Sequence, residues 1–93
     1  MKDGYVSSWA QYTVMARDAA ERDALQAKAK AAGVPTMVYY SRPLHLQTAY
    51  AALGHQPGDF PASEAACARV LSLPMHPYLD DATVEAVCRA ILA

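Results

Sequence analysis

Residues 39–47 read Tyr39-Tyr40-Ser41-Arg42-Pro43-Leu44-His45-Leu46-Gln47. An extended run ends here, Pro43 fixes the backbone and stops it, and residues at helical spacing follow. Arg42, His45 and Gln47 fall within a few positions of Tyr39 and Tyr40. Nowhere else in the chain do ligand-capable polar groups concentrate beside apolar ones, which is the composition of a binding site. On the N-terminal side, Val34–Tyr40 is predicted as a strand, with Pro35 at its start, where a missing N–H is tolerated. On the C-terminal side, Leu44, Leu46, Tyr50 and Leu53 predict a short helix over 44–53, closed by Gly54.

Further out, Asp18 and Glu21 stand at capping-box spacing, and strong helix formers run on to Gly33, predicting a helix over 19–32. Lys28 and Lys30 suit the negative end of its dipole and read as a solvated face. Ser7–Met15, rich in aromatic and β-branched residues, is predicted as the first strand. Alternation puts Ser8, Ala10, Tyr12 and Val14 on one face and Trp9, Gln11, Thr13 and Met15 on the other. After a loop turning at Pro57-Gly58, a helix is expected over 62–70, its alanines allowing close approach to a neighbour. Residues 70–74 read as a short buried strand. The last helix spans 81–92, with Asp80 or Asp81 as cap and Val84, Val87, Cys88 and Ile91 as its apolar stripe.

The order β-α-β-α-α-β-α predicts an α/β fold of the α+β two-layer sandwich type: a three-stranded mixed sheet with about four helices on one face. The first two strands should be parallel across a right-handed crossover, and the third should lie between them and run the other way.

The chain has 93 residues, enough for one domain with a thin core. Apolar residues make up 54% and charged ones 18%, a balance that suits close helix packing or a unit that leans on another domain. Eight basic and nine acidic residues, spread without runs, give a net charge of −1 and no electrostatic footprint for nucleic acid or anionic lipid. No apolar stretch approaches a membrane span, and residues 1–5 lack the apolar run of a signal peptide, so a cytoplasmic location is expected. Cys67 and Cys88 are expected as buried, reduced thiols, and the three histidines are too scattered to suggest a metal.

Several blocks share a further property. Trp9-Ala10-Gln11-Tyr12-Thr13, Arg22-Asp23-Ala24-Leu25-Gln26, Ala31-Ala32-Gly33-Val34-Pro35-Thr36, Tyr40 with Pro43-Leu44-His45-Leu46-Gln47, and Leu71-Ser72-Leu73-Pro74-Met75-His76-Pro77 occur in this order. Together they resemble the C-terminal portion of the DegT/DnrJ/StrS sugar aminotransferases, enzymes that use pyridoxal phosphate to place an amino group on a nucleotide-linked keto-sugar. The resemblance covers nearly the whole chain. It implies the small domain of a fold-type I aminotransferase, with pyridoxal phosphate in the parent family and no cofactor on this chain alone. In that family the aldimine lysine, the acid facing the pyridine nitrogen and the phosphate-binding groups belong to a preceding large domain, absent here, and no lysine of this chain stands in a matching motif. The implied role is to close over an active site, positioning substrate and excluding water. Tyr39, Tyr40, Arg42, His45 and Gln47 would then face the sugar, with no catalytic residue among them. The family often has His-Tyr-Pro where this chain has Tyr39-Tyr40-Ser41. A phenol keeps a hydrogen-bond donor there, but not a group that titrates near neutrality.

Each residue also has a structural reading. Tyr40 and Tyr50 suit an amphipathic core position, His45 a helix cap or solvent, Arg42 an exposed loop, and His76 a structural hydrogen-bond partner. Two functional classes follow: a domain or fragment of an aminotransferase, inactive by itself, or a free-standing interaction module that kept the fold. The expected partners are the large domain, or a second copy meeting the surface that domain would cover near Trp9, Tyr39, Leu44 or Met75.

Overall fold

The computed structural model describes residues 2–92, and Met1 and Ala93 lie outside the described residues. The elements are β1 (Tyr12–Met15), α1 (Ala19–Ala31), two 3₁₀ segments (Leu44–Leu46 and Thr48–Leu53), α2 (Pro61–Arg69), β2 (Val70–Leu73) and α3 (Asp81–Leu92). Helix α1 begins where Asp18 Oδ1 accepts the Glu21 N–H at 2.8 Å. It ends in a Schellman turn, with Gly33 N bonded to the Lys30 carbonyl and Val34 N to the Ala29 carbonyl while Gly33 takes φ +74°. Asp80 caps α3 by accepting the Thr83 N–H at 2.8 Å.

Strands β1 and β2 pair antiparallel, Thr13 opposite Ser72 and Val14 opposite Leu71. The sheet face carrying Leu71 is the covered one. Leu71 is 1% exposed, and with Ala16, Ala29 and Val87 it makes the buried apolar core, while α1 packs on α2, α3 and β2. The opposite face carries Thr13, Met15 and Ser72, where the Thr13 and Ser72 hydroxyls lie 2.8 Å apart. Met15 there is 58% exposed.

The three-stranded sheet expected from the sequence is instead two strands and one bridge, Met37 to Ser72, on the edge of β2 away from β1. Counting two residues either way from that bridge gives the reason. In one direction Pro35 would face Pro74, and neither has an N–H to donate. In the other, Tyr39 would face Val70, whose N–H is already bonded to the Ala66 carbonyl at the end of α2. The ladder therefore closes after one residue, and Tyr39 and Tyr40 leave the sheet.

The first strand is shorter than expected for related reasons. Trp9 takes φ +50°, its N–H bonds to Ser7 Oγ, and its ring stacks on Tyr12 at 5.5 Å. The chain thus bends at Trp9 and Ala10 instead of extending from Ser7, and the alternation that would put Trp9 and Tyr12 on opposite faces fails. The expected helix over 44–53 is two 3₁₀ pieces, broken at Gln47, which is extended at ψ 145°, and closed by Gly54 in the left-handed region. The apolar stripe of α3 is only partly covered: Val87 is buried, but Val84 is exposed. The thiols are likewise less buried than expected. Both are free: Cys67, on α2, is half-buried beside an open groove, and Cys88 on α3 is exposed.

Candidate functional site

Release of Tyr39 and Tyr40 from the sheet exposes both rings, by 54% and 65%. Tyr39 borders an open groove of about 180 Å³ at the two-proline end of β2, walled by Gln11, Pro35, Met37, Pro74 and Met75. Tyr40 and Arg42 border a larger groove of about 510 Å³ between Leu44 and the Ala66–Cys67 side of α2, floored by Thr13 and Val70. Arg42 also borders a third groove, with His45, Gln47, His55 and Gln56. The five residues singled out in the sequence thus do not converge on one cavity. Arg42 links the second groove to the third, and Tyr39 stands apart at the first.

Two of the five are inward-facing. His45 is buried, and its Nε2 lies 3.0 Å from Glu64 Oε1. Hydrogen bonding holds the Glu64 carboxyl below the usual range, chiefly through the Gly58 N–H and further through His45, so the carboxylate is acceptor-only and the imidazole nitrogen donates. The His45 ring packs on Phe60 at 4.8 Å, and His55 meets the same ring edge-on at 5.0 Å. Gln47 is half-buried, and its Nε2 donates to the Arg42 carbonyl at 3.1 Å, clamping the turn that displays Arg42. Asp59 repeats the pattern of Glu64 nearby: its Oδ2 accepts the Gln56 N–H at 2.9 Å, the main cause of its lowered pKa, and lies 3.4 Å from His55 Nδ1.

Sequence reasoning missed Glu64, Asp59 and Phe60. The signal available was Glu64 in the first turn of a helix that starts with Pro61 and whose N-cap, Phe60, has no side-chain oxygen to offer. His76 is a structural hydrogen-bond partner as expected, its Nδ1 accepting the Tyr78 N–H at 3.2 Å. Among the described residues, no three His, Cys, Asp or Glu side chains gather at metal-ligand spacing, and no helix is long and apolar enough to cross a membrane.

The model of the DegT/DnrJ/EryC1/StrS aminotransferase family matches residues 1–92. The chain belongs to this family. A UDP-2-acetamido-2-deoxy-3-oxo-D-glucuronate aminotransferase of Pseudomonas aeruginosa is 44% identical over 86 residues, 92% of this chain and 22% of that protein. A dTDP-3-amino-3,4,6-trideoxy-alpha-D-glucose transaminase of Streptomyces venezuelae is 36% identical over 72 residues, covering 77% of this chain and 18% of the relative. The crystal structure of a family aminotransferase from Brucella abortus superposes with a TM-score of 0.82 at 44% identity, over 98% of this chain and 24% of its own. The chain therefore spans roughly a fifth to a quarter of the length of these DegT/DnrJ/EryC1/StrS relatives.

Proposed function

We propose that this chain is the small C-terminal domain of a pyridoxal-phosphate-dependent aminotransferase acting on a nucleotide-linked keto-sugar in the cytoplasm. The cofactor and the Schiff-base lysine reside on a larger domain. The observation that carries this reading is the surface left uncovered. The chain exposes 7007 Å², whereas a compact monomer of this mass exposes roughly 5,200 Å². Much of the excess is apolar, including Met15, Met37, Tyr39, Tyr40 and Leu44 on or beside the open sheet face. Tyr39, Tyr40 and Arg42 project from that surface as donors for sugar hydroxyls and an anionic group, while His45 and Gln47 hold the turn from which they project.

The residues present do not fit the cofactor. Lys2, Lys28 and Lys30 are all exposed; Lys28 Nζ lies 3.4 Å from the Ile91 carbonyl, and Lys30 borders an open groove with Asp23 and Gln26. None has the desolvated pocket or neighbouring cation that readies a lysine for Schiff-base chemistry. No step is therefore assigned to the cofactor on this chain. Its own contribution is to bind, orient and shield the sugar once a large domain lies against it. Borohydride reduction of the chain with pyridoxal phosphate, followed by peptide mass spectrometry, is expected to leave every lysine substoichiometrically labelled. Full labelling of one lysine would overturn the reading.

A further inference from the structure

We propose that Glu64 is the positioning residue of the Tyr39–Gln47 segment, holding it against α2 through one carboxylate oxygen. The inference rests on the functional reading above for what the segment does, but not for how it is held. Glu64 Oε1 accepts from His45 Nε2 at 3.0 Å and from the Gly58 N–H at 2.8 Å. These two partners come from different parts of the chain: His45 from the first 3₁₀ segment, directly after Arg42 and Pro43, and Gly58 from the loop that leads into α2. One side chain on α2 thus joins both ends of the 43–58 excursion.

Little else pins this excursion. Its 3₁₀ segments make only local backbone bonds, such as Gln47 N to the Leu44 carbonyl and Gly54 N to the Ala51 carbonyl. Residues 48–60 are exposed throughout. Within the excursion, His45 and Pro43 are the buried residues, and His45 is held between Glu64 and the Phe60 ring. A local structure of short 3₁₀ turns with so little burial opens readily unless an outside contact holds it. Glu64 is that contact, and its displacement would free His45 and, through Pro43, loosen Arg42 and Tyr40 from their groove along α2.

Hydrogen–deuterium exchange resolved to segments, on the chain with Glu64→Ala and Glu64→Gln, tests this. In Glu64→Ala the hydrogen-bonded amides within residues 44–59 are expected to exchange faster by at least about tenfold, since a hydrogen bond to a charged group is lost at each end. The β1–β2 amides should be unchanged. In Glu64→Gln the side-chain oxygen still accepts from both donors, so most of the protection should return, a rescue that simple loss of core volume would not show. Unchanged exchange over 44–59 in Glu64→Ala, equal acceleration across β1–β2, or no rescue by Glu64→Gln would each overturn the proposal. Exchange is read without substrate or cofactor, so these outcomes are separate from failure of the functional reading, which the lysine-labelling experiment addresses.

Discussion

Pro35 and Pro74 are the residues on which the site's geometry turns. Facing each other one step beyond the Met37–Ser72 bridge, they deprive the ladder of both N–H donors at once. The double variant Pro35→Val, Pro74→Val supplies them. Two regained hydrogen bonds contribute about 1 kcal/mol each, while loss of two prolines from the unfolded chain costs about 0.4–1 kcal/mol each, so net stability should barely move. Amide protection is the decisive readout: new protected N–H groups at 35 and 74 are expected by NMR exchange, and their absence would refute the ladder argument. Each proline was legible in the sequence as a feature of its own strand. Their opposition was not, because it depends on a register between positions 39 residues apart. The same holds for His45. Its place beside Arg42 was readable, but its partner Glu64 is 19 residues away and announces itself only once α2 has folded back.

At the scale of elements, the helices α1, α2 and α3 were legible nearly to the residue because their signals are local, whereas the helix expected over 44–53 proved to be two 3₁₀ pieces. Asp18, Gly33 and Asp80 each act within four residues of themselves. Of the strands, the buried one expected over 70–74 is present as β2, but those expected over 7–15 and 34–40 were not legible in extent, since a strand is defined by a partner. Carboxylate caps also make stability depend on pH. Asp18 is held below the usual carboxylate range chiefly by the Glu21 N–H, Asp59 by the Gln56 N–H, Glu64 by the Gly58 N–H, and Asp80 by the Thr83 hydroxyl and N–H. A carboxyl whose folded pKa lies below its unfolded value stabilises the fold fully above the ordinary range and loses that contribution as pH falls through the folded value. Urea midpoints should therefore be flat from neutrality to about pH 5 and drop below about pH 4. A midpoint that rises on acidification would contradict this assignment.

For the whole molecule, shape and surface agree. The radius of gyration is 15.8 Å, against about 12 Å for a compact domain of this length. Exposed large apolar residues include Tyr5, Val6 and Trp9 near the N-terminus, Met15 and Met37 on the open sheet face, and Tyr39, Tyr40 and Leu44 beside it. A surface of this kind is normally covered. In the absence of a large domain a second copy is the available cover, and light scattering at high concentration is expected to give a mass above the 10.0 kDa of one chain. A mass of one chain at every concentration would show that the surface is tolerated uncovered. The central claim is that these residues work as part of a much longer aminotransferase. Immunoblotting of the native source with an antibody raised against this sequence tests it most directly. A band several times heavier than 10.0 kDa is expected, in keeping with relatives of which this chain spans 18–24%. A single band at 10.0 kDa would contradict it and leave a free-standing domain in search of a partner.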